Sequence, residues 1–142
     1  MIRKRYVDTT KLITDTEKLE LTSAGEILIY SGDKWYDEVT VNLKGQEEKF
    51  EELKSVVACI AKNLCKIDLI AQRYDTLYDD GRLAFDYEIA YVCLNDLNEI
   101  SVIYYGTVVN TEFDVIFQYI NDEFLLKSFG MRKNIPLDWD RE

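Results

Sequence analysis

Residues 47–78 read EEKFEELKSVVACIAKNLCKIDLIAQRYDTLY. Apolar side chains recur there at Phe50, Leu53, Val57, Ile60, Leu64, Ile67, Ala71, Tyr74 and Tyr78. The steps alternate between three and four, so all nine fall on one stripe of an α-helix. Glu47, Glu48, Glu51 and Glu52 crowd its start, where the positive end of the helix dipole favours acids. Asp79-Asp80-Gly81 ends it with turn chemistry. The span is long for a globular helix. It is read as one bent helix, or as two helices broken between Asn63 and Asp68 that share the stripe. Either way the stripe needs a sheet to cover it.

The flanking sequence supplies that sheet. Residues 26–30 and 35–43 are β-rich, and Ser31-Gly32-Asp33-Lys34 between them is a turn, which makes a hairpin. After Arg82 the apolar period switches to two. Phe85, Tyr87, Ile89, Tyr91 and Cys93 alternate with Asp86, Glu88, Ala90 and Val92. Ile100, Val102 and Tyr104 alternate with Ser101, Ile103 and Tyr105, and Phe113, Val115, Phe117 and Tyr119 with Glu112, Asp114, Ile116 and Gln118. A last strand runs from Phe124 to Phe129. The short connections predict a four-stranded antiparallel meander. The expected fold is therefore a single α+β domain over residues 1–142. Its antiparallel sheet, hairpin plus meander, is covered on one face by a long helix or helix pair. Residues 1–17 are expected to form an edge strand or a loose arm. The tail from Met131 holds the only proline, Pro136, and Trp139.

Composition narrows the function. The chain has 142 residues, no histidine, and a net charge of −10. Its pI is near 4.5. Without histidine, Cys/His zinc sites and histidine acid–base chemistry are excluded. Acidity argues against nucleic acid or an anionic membrane as partner and suits a basic protein. No apolar run reaches the roughly 18 residues of a membrane span. The basic opening Met1-Ile-Arg-Lys-Arg is followed by no apolar segment and does not read as a secretory signal. Cys59, Cys65 and Cys93 form no C-x-x-C pair and read as small packed residues in a reducing cytoplasm.

Charge placement is the most informative feature. Between Arg82 and Lys127 there is no Lys or Arg, while eight acids fall in that interval. If the large apolar residues of the meander face the helix, the other face carries Asp86, Glu88, Ser101, Tyr105, Glu112 and Asp114. Two carboxylate pairs then bracket Ser101 and Tyr105. This reads as an acidic docking surface with Tyr105 as aromatic anchor, against the simpler reading of a solvated sheet face. Trp35 and Tyr36, beside Asp37 and Glu38, form a second acidic-aromatic cluster with interface chemistry. A Ca²⁺ or Mg²⁺ site on four carboxylates is a weaker reading, because no acidic metal loop is present. Glycosidase-like paired carboxylates lack a cleft. No cofactor motif and no activated nucleophile are found.

The segment Tyr104-Tyr-Gly-Thr-Val-Val-Asn-Thr-Glu-Phe-Asp-Val-Ile-Phe, with Phe129-Gly-Met and Ile135-Pro-Leu-Asp-Trp139, resembles immunity proteins of bacterial contact-dependent growth inhibition and other polymorphic-toxin systems. These are packing and turn residues, and the resemblance transfers no site residue. It implies a non-catalytic protein that neutralises a toxin C-terminal domain, often a nuclease, by one-to-one binding. Homodimerisation through an exposed strand edge and a carboxylate–metal enzyme are the alternatives from other classes.

Overall fold

Backbone pairing demands decide how this chain folds: six of its strands hydrogen-bond in series, and the amphipathic helical segment closes over one side. The computed structural model describes residues 7–32, 37–78, 87–106, 111–130 and 133–134. Its elements are β1 (Glu26–Tyr30), β2 (Val39–Asn42), α1 (Phe50–Lys62), α2 (Leu64–Tyr78), β3 (Tyr87–Asp96), β4 (Glu99–Gly106), β5 (Thr111–Ile120), β6 (Glu123–Phe129) and β7 (Lys133–Asn134). The sheet order is β1-β2-β3-β4-β5-β6, with β7 pairing β5.

The α+β class and the helical cover are as expected. The sheet, however, is mixed rather than wholly antiparallel. Hairpin and meander join through a parallel pairing, Val41 opposite Val92 and Asn42 opposite Cys93. The helices supply the crossover that parallel neighbours require. Gln46 fastens the junction, its side-chain amide donating to the carbonyls of Leu43 and Leu94, both at 3.0 Å.

The helix is broken once, at Asn63, within the expected interval, while the stripe continues through it. Asn63 leaves the helical region at φ −103°, ψ 7°. Its side chain donates to the Cys59 carbonyl at 2.8 Å, competing there with its own backbone N–H at 3.1 Å. Leu53, Val57, Ile60, Leu64, Ile67 and Ala71 on both sides of the break are buried. They pack with Ile27, Ile29, Val41, Ile89, Val92, Leu94, Ile100, Val102, Tyr104, Val115 and Phe117 in one core. Each fully buried Leu or Ile contributes about 1.5–3 kcal/mol relative to exposure, so the stripe drives docking of both helices.

Tyr104 of β4 reaches the helical layer. Its hydroxyl donates to Asp68 Oδ1 of α2 at 2.8 Å inside the core. Its ring stacks on Phe113 with centroids 5.3 Å apart. Asp68 is only 3% exposed. A buried carboxyl is tolerated only where hydrogen bonds replace its hydration.

Ahead of β1 the chain forms an arm of two short 3-10 turns, capped by Asp8 and Asp15. The arm covers the outer edge of β1, with Ile13 N–H donating to the Ile29 carbonyl and Ser31 N–H to the Lys11 carbonyl. Leu21 makes a single antiparallel bridge to Ile27. Asn121 and Asp122, at φ 52° and 63°, make the two-residue turn between β5 and β6. Trp35 and Tyr36, the Asp79-Asp80-Gly81 stop, Phe85, Asp86 and the tail residues Pro136 and Trp139 lie outside the described residues.

Candidate functional site

The sheet face opposite the helices carries the site. Three of the residues singled out from sequence fall into one row across three strands. Glu88 pairs with Tyr105, and Tyr105 with Glu112. Asp114 stands two residues further along β5, opposite Ile103. Tyr105, Glu112 and Asp114 are half-buried. Glu88 needs correction as a solvent-facing carboxylate: it holds its place in the row but is only 7% exposed. Asp86, Trp35 and Tyr36 lie outside the described residues.

A second correction concerns β3. The pairing with β4 shifts register between Ile89 and Tyr91, leaving Ala90 as an extra residue. A bulge of one residue reverses side-chain parity beyond it. Val92 and Leu94 therefore enter the core, and Tyr91 and Cys93 turn to the outer face. Sequence alternation had placed both of the latter inside.

The bulge builds a hollow of about 360 Å³ in the outer face, lined by Lys44, Tyr91, Cys93, Asn95, Ser101, Ile103, Glu112 and Asp114, with Phe113 beneath. Tyr91 is 38% exposed. Burial, followed by the neighbouring Cys93, Glu112 and Glu26, pushes its phenol above the ordinary value. Cys93 is 8% exposed. Burial pushes its thiol up, Lys44 draws it down, and Glu26 raises it again. The net shift is upward, so Cys93 is a protonated thiol at neutral pH and a poor nucleophile.

The end of the hollow is polar. Asn95 donates to Ser101 Oγ at 2.8 Å and to Glu99 Oε2 at 3.1 Å. Lys127 meets Glu99 Oε1 at 2.6 Å. Lys127 is itself the bulged residue of β6, where the pairing with β5 slips between Ile116 and Phe117. Lys127 and Asn95 together hold the Glu99 carboxyl below its ordinary value. On the β1–β2 side, Thr40 donates to Glu26 Oε2 at 2.7 Å. Glu112 and Asp114, by contrast, have no ion-pair or hydrogen-bond partner for their carboxylates among the described residues.

Gly130 shapes this acidic pair. Its N–H donates to the Asp114 carbonyl at 2.7 Å. A Cβ at Gly130 would collide with the Asp114 carboxylate and come within 2.8 Å of its carbonyl oxygen. Among the described residues no group of three or more His, Cys, Asp or Glu side chains is close enough to hold a metal ion. The described helices are also not long and apolar enough to cross a membrane.

Lys44, Asn95, Tyr91 and Cys93 were missed as site residues. The parity of the polar positions holds the missing signal: Glu88 and Asn95 both face outward yet stand seven apart, which an unbroken strand cannot arrange. No family model, curated protein or solved structure matches the chain.

Proposed function

We propose that the protein is a non-catalytic, cytoplasmic immunity-type inhibitor. Its acidic outer sheet face binds a basic protein domain one-to-one, and a nuclease toxin domain suits that chemistry. The carrying observation is the Glu112–Asp114 carboxylate pair, unpartnered among the described residues, beside half-buried Tyr105 and exposed Tyr91. Unpaired carboxylates on a rigid sheet cost little to present and steer a cationic partner, while tyrosines give contact area at low entropic cost. A protein bound there would cover the basic groove that a nuclease uses for phosphates. Protonated Cys93 argues against nucleophilic chemistry at the same place. Homodimerisation through β6 is the weaker reading, because the bulged, charged Lys127 interrupts that edge.

The test is binding to the C-terminal domain of the protein encoded directly upstream. The Glu112→Lys/Asp114→Lys double variant should slow association by about tenfold or more at low salt, with dissociation less affected. An unchanged association rate, in a variant with unchanged circular dichroism, would remove the outer face as the docking surface.

A further inference from the structure

The hollow beside the carboxylate pair is a more specific feature than an acidic face. We propose that it receives one arginine side chain of the basic partner, with the guanidinium against Glu112 and Asp114 and its plane on Tyr91. This rests on the reading of the outer face as a docking surface for a basic protein.

Five properties of the hollow select this occupant. Its volume of about 360 Å³ is far more than an ammonium group fills. Its two carboxylates, without a partner among the described residues, stand on alternate residues of one strand, a separation of about 7 Å along the backbone, which a fork of N–H donors spans better than a point charge. Tyr91 offers an exposed aromatic face on the adjoining wall, and guanidinium stacks on such faces. Cys93, more than nine-tenths buried, lines the floor, and its thiol has no hydrogen-bond partner among the described residues. Ser101 and the Asn95 carbonyl add neutral acceptors at the polar end.

Lys44 is the one lining residue of opposite sense. It is exposed, sits at φ 55° in the turn after β2, and lies close enough to act on Cys93. An arginine entering the hollow must displace or tolerate its charge. The proposal therefore makes a prediction of reversed sign: Lys44→Asn, which also suits the left-handed backbone, should tighten binding by about twofold to threefold.

The experiment is a titration of the isotope-labelled protein with N-acetyl-arginine amide, read from the backbone amides of Tyr91, Cys93, Ser101, Ile103, Glu112 and Asp114. Saturable shifts confined to those residues are expected. They should be roughly fivefold weaker with N-acetyl-lysine amide and absent with the neutral citrulline analogue. They should also be lost in Glu112→Gln/Asp114→Asn, with the remaining spectrum unchanged. An equal response to citrulline, an equal response to lysine, or no shift at the hollow overturns the arginine assignment. A ten-residue oligolysine, titrated in parallel, separates the two readings. If it moves the outer-face amides while arginine holds no advantage, the docking face stands and the arginine hollow falls. If neither cation moves them, both fall.

Discussion

Removing the hydroxyl of Tyr104 tests whether the Asp68 contact is what seats α2 on the sheet. Tyr104→Phe keeps the ring, its stacking on Phe113 at 5.3 Å, and its full burial. The substitution deletes only the donor that meets Asp68 Oδ1 at 2.8 Å. Asp68, at 3% exposure, cannot recover that bond from bulk water. Leaving a buried acceptor short of a donor costs about 1–3 kcal/mol. At roughly 3 °C per kcal/mol for a domain of this size, the melting temperature should fall by about 3–9 °C. Urea denaturation followed by circular dichroism gives the free energy directly, and hydrogen exchange should report faster opening in α2 than in β4. Asp68→Asn completes a cycle, since the asparagine carbonyl still accepts from Tyr104 while the charge is gone. A Tyr104→Phe loss below about 0.3 kcal/mol would refute the reasoning. It would mean that the apolar stripe alone holds the helix and that the buried bond adds nothing net.

Other outcomes follow from single contacts. Gly130→Ala should destabilise by about 1–3 kcal/mol, as overpacking does, because the new methyl group meets the Asp114 carbonyl oxygen at 2.8 Å; a wild-type urea midpoint would contradict this. Ile60→Ala, at a fully buried site on the stripe, should cost about 2–5 kcal/mol in the same assay. Glu99 has its carboxyl held below the ordinary value by Lys127 and Asn95, so its contribution is present above the unfolded-state pKa and fades as pH falls through the lower folded-state value. Lys127→Met should therefore shrink the stability difference between neutral pH and acid, most visibly at low salt, and a parallel pH profile would count against it. Cys93 should react with iodoacetamide more slowly than a free thiol at neutral pH, because burial raises its pKa; mass spectrometry showing rapid alkylation at Cys93 would overturn that.

The helical layer was legible because a period between three and four persists from Phe50 through Ala71 on both sides of the break. Asn63 was harder to place. It leaves the stripe unbroken, and its effect comes from a side chain that competes for the Cys59 carbonyl. The meander was legible from alternation, and β4 and β5 keep strict parity through their whole paired length. The parallel joint between β2 and β3 was not, since it depends on which strand edges remain open once the helices have crossed over. Glu88 shows a different limit. Its register opposite Tyr105 follows from alternation, but its burial depends on what lies over that end of the sheet, and periodicity carries no information on that.

The one-residue bulge at Ala90 ties fold to site. Without it, Val92 and Leu94 would face outward and Tyr91 and Cys93 would fill the core, and the outer face would be apolar where it now has a hollow. Packing enforces the shift: Val92 and Leu94 are both fully buried against the helices, while Glu88 and Cys93, opposite Tyr105 and Ser101, both lie on the outer side although five residues apart. Only an inserted residue satisfies the two ends at once. The same bulge that lets a hydrophobic run meet the helical layer therefore turns a tyrosine and a thiol toward Glu112 and Asp114. Deleting Ala90 should restore simple alternation and force a choice. Either Val92 and Leu94 leave the core, with a loss of several kcal/mol by the burial arithmetic for two large side chains, or the register with β4 slips and the Glu88–Tyr105–Glu112 row is broken. A deletion variant that kept both its stability and the wild-type amide pattern at Tyr105 and Glu112 would show that the bulge is dispensable. The outer hollow would then owe its shape to something other than strand parity.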